Sequence, residues 1–153
     1  GEFQKALNIH EQALDIRTRS FGKNHLEVAS SHYNLGTCYY SLGKCDSAIQ
    51  HYTTALEIRI SLAGKMHSCV AQCYSGIGDA YLLQDKIKDA AENYKQAQFI
   101  YSKYYFASTA EIEHINQNML IIKNGVKIEP SVSNIHNSFV SSHSIYFKPQ
   151  IFL

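Results

Sequence analysis

Apolar residues recur along this chain at the spacing of a helix face, and glycine-containing breaks interrupt them at regular intervals. Val28, His32, Leu35 and Tyr39 lie three or four residues apart and predict a helix from about Val28 to Leu42. Gly43-Lys44 ends that stripe, and Asp46 or Ser47 is expected to open the next helix by accepting from its free N–H groups. Ala48, Tyr52, Ala55, Leu56 and Ile58 then form a second apolar face. Gly22-Lys23-Asn24 and Gly64-Lys65 mark links between longer units.

Those units repeat. A shift of 42 residues places Gly22, Lys23, His25, Val28, Ala29, Gly36 and Tyr39 on Gly64, Lys65, His67, Val70, Ala71, Gly78 and Tyr81. It also places Lys44, Ala48, Tyr52, Ala55 and Ile58 on Lys86, Ala90, Tyr94, Ala97 and Ile100. One period earlier, Ala6, Ala13, Leu14, Ile16 and Arg17 match Ala48, Ala55, Leu56, Ile58 and Arg59. Each period holds two helices, A and B. Small residues such as Gly36 and Ala48 let their backbones approach, while Tyr39 and Tyr52 fill the space beside them. A single hairpin of this size cannot bury its apolar stripe, so successive hairpins must stack. The predicted fold is all-α, an α-solenoid of antiparallel helical hairpins.

The same residues resemble the tetratricopeptide repeat, whose pattern asks for Leu-Gly and an aromatic on helix A, then Ala, aromatic, Ala on helix B. Leu35-Gly36, Tyr39, Ala48, Tyr52 and Ala55 supply it once. Ile77-Gly78, Tyr81, Ala90, Tyr94 and Ala97 supply it again, with Tyr74 at the earlier helix-A aromatic position. The 42-residue spacing and the Gly-x-x-His-x-x-Val-Ala junctions at Gly22–Ala29 and Gly64–Ala71 are similar to the kinesin light chain and nephrocystin-3 branch. That branch usually carries Pro after the His, where this chain has Leu26 and Ser68.

The resemblance covers residues 1–123. It predicts helix B of a truncated repeat over 1–20, full repeats over 26–62 and 68–104, and a terminal helix over 108–123. In that helix Ile112, Ile115, Met119 and Ile122 keep the stripe, but Leu120 stands where the repeats have glycine, as expected of a helix that caps the stack. Gly1 opens the chain inside a repeat, which reads as a piece of a longer protein. Residues 124–153 share no register with the repeats and are expected to be irregular, disordered or loosely docked rather than a short strand.

Composition narrows the function. Fourteen Lys and Arg against 13 Asp and Glu give a net charge of +1, without the clustered positive excess of a nucleic-acid or membrane surface. No apolar run reaches the roughly 20 residues of a membrane span, and no signal peptide opens the chain. Cys38, Cys45, Cys69 and Cys73 make no CxxC pair, and reduced thiols in a cytoplasmic protein are the expectation. Cys69 and Cys73 share a helix face but lack two further ligands for zinc.

Chemistry finds little purchase. His25 and His67 occupy one position of the repeat just before a helix, which predicts bonding to helix-end backbone groups. His32 and His51 are expected on different helices, solvated or half-buried and without a partner close in sequence. Neither a phosphate-binding glycine loop nor a GxSxG elbow is present, and Asp79 has no second carboxylate to couple with. The chain is therefore expected to be no enzyme and to need no cofactor or metal.

Binding remains. The A helices line the inner surface of a curved stack, and in tetratricopeptide proteins that groove takes partner segments. The resemblance implies that Tyr33, Asn34, Thr37, Tyr40, Ser75, Asp79, Gln117 and Asn118 form the partner-binding groove, with Ser30, Gln72 and Leu82 beside them. Asn34 matches the asparagine of the family's Asn-Leu motif, whose amide both donates and accepts. The Lys and Arg with which chaperone-binding relatives hold a terminal carboxylate are absent from these positions. The expected partners are other proteins, presenting a neutral or apolar segment, with no nucleic acid, membrane or small-molecule substrate. The competing expectation is an architectural segment of a longer solenoid.

Overall fold

A computed structural model of the chain describes residues 2–103 and 109–125. Of the tail expected to be irregular over 124–153, residues 126–153 lie outside them. The described residues form six α-helices and no strand: α1 Glu2–Phe21, α2 Leu26–Ser41, α3 Cys45–Ala63, α4 Ser68–Leu83, α5 Ile87–Tyr101 and α6 Thr109–Lys123. Helices α2 and α3 pair as one hairpin and α4 and α5 as the next. The α3/α4 contact joins them, α1 packs on α2, and α6 packs on α5. In the 42-residue register read from the sequence, α2, α4 and α6 fall at A positions and α1, α3 and α5 at B positions.

The two kinds of helix begin differently. Before α2 and α4, His25 Nδ1 accepts from Glu27 N (3.1 Å) and His67 Nδ1 from Cys69 N (3.3 Å), so the periodic histidines are N-caps. Helices α3 and α5 follow Lys44 and Lys86, which offer no side-chain cap. The expectation that Asp46 or Ser47 caps α3 is corrected: Asp46 sits inside the first turn, where its charge complements the helix dipole. The turn before these helices needs one left-handed residue. Gly43 (φ 70°) supplies it once and Asp85 (φ 58°) one period later.

Two tyrosines organise the core. Tyr52 and Tyr94 are 1% and 0% exposed, each among fully buried alanines of its own helix, Ala48 and Ala55 or Ala90 and Ala97. A Cβ on Gly36 would lie 2.7 Å from Tyr52 Cδ1, and one on Gly78 would lie 2.8 Å from Tyr94 Cε1. The glycine is thus what lets helix A meet the ring of helix B. Gly76 adds a contact between hairpins, since its Cβ would lie 2.9 Å from Tyr52 Cζ. Tyr52 is held between glycines of two successive A helices.

A second periodic contact crosses the same boundary. Arg17 Nη1 donates to Ser31 Oγ (2.7 Å), and 42 residues later Arg59 Nη1 donates to Cys69 O (2.6 Å) and Cys73 Sγ (3.3 Å). Leu120 takes the glycine position in α6 and is 56% exposed. No B helix meets it among the described residues, so a side chain fits there.

Candidate functional site

The eight groove residues expected from the repeat all lie on α2, α4 and α6, but their surroundings differ. Asn34 and Ser75 are half-buried on the A-helix surface, and Gln117 is exposed. Thr37 Oγ1 shares a hydrogen bond with Tyr52 OH (3.2 Å), which ties it to the core ring of its own hairpin. Tyr33 is wedged between the Tyr52 ring (centroids 5.3 Å apart, 52°) and the Arg59 guanidinium, 4.8 Å from its own ring centre. Burial, reinforced by Cys73, pushes its phenol pKa up despite the arginine. Burial next to Asp79 does the same to Tyr40. These two tyrosines offer a ring more than a titratable hydroxyl. Leu82, expected beside the groove, is corrected to the core: it is 5% exposed, because it packs into the apolar cluster formed by the two hairpins.

Asp79 and Asn118 belong together. Asp79 Oδ1 accepts from Tyr94 OH (2.6 Å) and Asn118 Nδ2 (3.1 Å), and it pairs with His114 Nε2 (2.8 Å). Asn118 Nδ2 also lies 2.9 Å from Tyr94 OH, where it donates to the phenol oxygen. The carboxylate raises the His114 pKa against the opposing effect of burial. This polar cluster binds α4, α5 and α6 to one another, and Gln72 Nε2 donating to Glu111 Oε1 (3.2 Å) adds a second α4–α6 link. Asp79 stands 42 residues after Thr37 and does the same work: each anchors the hydroxyl of the buried tyrosine in the following helix.

Sequence reading missed three features of this region. His114 carried no signal of its own, since its partner Asp79 is 35 residues away. Gly76 was legible only as a short Gly pair with Gly78, although it lies one period after Asn34. Arg59 did repeat with Arg17, and that recurrence was the available clue to its buried role. It is 7% exposed, and beside it the Cys73 thiol is pushed up to about 11 by burial. All four cysteines are free, and no group of three potential metal ligands converges among the described residues.

The sequence pattern of the family described as Tetratricopeptide repeat matches residues 1–61 and 46–103. The chain belongs to this family. Its fold is also similar to the crystal structure of BtubC (BKLC) from P. vanneervenii, with a TM-score of 0.70 at 21% sequence identity. That alignment covers 94% of this chain and 54% of the BtubC chain, so the present repeats span about half of the neighbour's length. No curated protein matches the sequence. Tetratricopeptide repeats generally mediate protein–protein interaction, and other proteins are the partners the family typically binds. The family is typically a non-catalytic scaffold. No helix among the described residues is long and apolar enough to cross a membrane.

Proposed function

We propose that this chain is a protein-interaction scaffold that receives a partner peptide segment or helix along the surface of its A helices, without catalysis. The observation that carries the reading is the placement of Tyr33, Asn34, Thr37, Tyr40, Ser75, Asp79, Gln117 and Asn118 on the successive A helices α2, α4 and α6. Within that set the roles divide. Asn34, Ser75 and Gln117 have side chains on the surface and are the contacts that a partner backbone meets. Tyr33, Thr37, Tyr40, Asp79 and Asn118 shape the floor, where burial and internal hydrogen bonds fix them. A segment with neutral or apolar side chains and a free backbone suits amides flanked by tyrosine rings. Nucleic acid, membranes, small-molecule substrates and cofactors have no part in this reading, and the proposed location is the cytoplasm, in keeping with four free thiols. The Gly-x-x-His-x-x-Val-Ala junctions support a place near the kinesin light chain and nephrocystin-3 branch.

The test begins with selection of a binding peptide from a display library against the 153-residue chain. Asn34→Ala should then weaken binding by some thirty-fold, about 2 kcal/mol for a central anchor, with the melting temperature unchanged. Failure to select any binding peptide would instead favour an architectural segment of a longer solenoid, and unchanged affinity in Asn34→Ala and Gln117→Ala would overturn the A-helix groove.

A further inference from the structure

We infer that the cleft where α1, α2 and α3 meet binds a small aliphatic carboxylate of the medium-chain fatty acid class, its chain in the cavity and its head group on Lys23. The cavity measures about 370 Å3, within the range of sites that enclose a small organic ligand. Leu14 of α1, Val28 of α2 and Ile58 of α3 give it an apolar floor, and Val28 is 2% exposed. The cleft holds a ligand and performs no chemistry. It stands apart from the surface proposed for partner segments, because none of those eight residues lines it.

The charge of the lining selects an anion. Lys23 and Asn24, both exposed, come from the link between α1 and α2, and no lining residue is acidic. The acid nearest to Lys23 in sequence, Glu27, is paired with Arg17 (3.4 Å), and no ion pair engages Lys23 among the described residues. Burial, reinforced by His51, pushes the His32 pKa down, so Lys23 is the one charge of the lining at neutral pH. Asn24 Oδ1 accepts from Ser61 Oγ (3.0 Å), which leaves its Nδ2 group to donate to the same head group. A carboxylate answers both donors, whereas an uncharged head leaves the ammonium unmatched.

The next joint of the stack shows that packing does not demand this gap. A shift of 42 residues keeps the floor and the cation as Leu56, Val70, Ile100 and Lys65. Thr18, Asn24, His32 and Thr54, which line the cavity, become Ile60, Met66, Tyr74 and Gln96. Each replacement is longer or bulkier, and Ile60 and Tyr74 pack against the core there. The room beside Lys23 is thus made by four smaller side chains at one joint of the stack, on a framework that both joints share.

Titration of the full chain with sodium octanoate at neutral pH, followed by amide NMR shifts, tests the assignment. One saturable site is expected, with the shifts centred on Lys23, Asn24 and Val28. Affinity should rise about fourfold for each methylene added between butanoate and octanoate, the effect of burying one such group. Lys23→Met should weaken octanoate about fivefold, the scale of an exposed ion pair, and leave the binding of octanol unchanged. Lys65→Met, the equivalent change at the next joint, should bind octanoate as the unaltered chain does. Thr18→Ile and Thr54→Gln copy the residues of that joint and should abolish binding, with circular dichroism checking that both variants are folded. Absence of saturable binding, equal affinity for octanoate and octanol, unaltered affinity in Lys23→Met, or an equal loss in Lys65→Met would each overturn it.

Discussion

Gly36 and Gly78 are each within a bond length or so of where a side chain would strike a buried ring. Replacing Gly36 with Leu should therefore cost upwards of about 1–3 kcal/mol through overpacking, measured as a lower midpoint in urea unfolding. Leu120 fixes the meaning of that result. The same position tolerates leucine in α6 because no B helix meets it there among the described residues. Titration of His114 gives a second test at this scale. Its folded pKa lies above 6.5 because of Asp79, so its stabilising contribution is fully present below 6.5 and is lost as pH rises through the folded value. The melting-temperature gap between the unaltered chain and His114→Gln should accordingly be wide at pH 5.5 and narrower at pH 8. A gap independent of pH would mean that the imidazole acts only by packing.

Among the helices, the periodic features were the ones that the sequence disclosed. Small residues facing Tyr52 and Tyr94 recur because two backbones must meet at every hairpin, and the caps His25 and His67 recur because every A helix needs a start. Replacing His67 with Ala should cost about 1 kcal/mol, the usual effect of losing an N-cap acceptor, and hydrogen exchange should quicken first in the opening turn of α4. Helices α3 and α5 escaped the capping expectation because their entry is set by a left-handed residue at 43 and 85 rather than by a side-chain acceptor. The polar contacts were illegible for a related reason. His32 meets His51, and Asp79 meets His114, across 19 and 35 residues, and nothing in either local pattern marks the partner. For the residues that the resemblance assigns to a groove surface, the helices that carry them were readable from the repeat register. Which of them are locked beneath it was not, since that depends on Tyr94, Arg59 and other side chains arriving from neighbouring helices.

Across the whole molecule, the Tyr52 ring serves two hairpins at once, closed in by Gly36 on one side and by Gly76 on the other. Substitutions at these three positions should therefore be strongly non-additive. Gly36→Ala and Gly76→Ala should each destabilise the chain while the tyrosine is present. In a Tyr52→Ala background, where a cavity replaces the ring, both should become nearly neutral, as a double-mutant cycle in urea would show. A single side chain packed by glycines of two hairpins couples them: the Tyr52 ring reaches its full burial only with both in place. The two hairpins that share this ring are therefore expected to melt together, and Tyr52→Ala to broaden the transition.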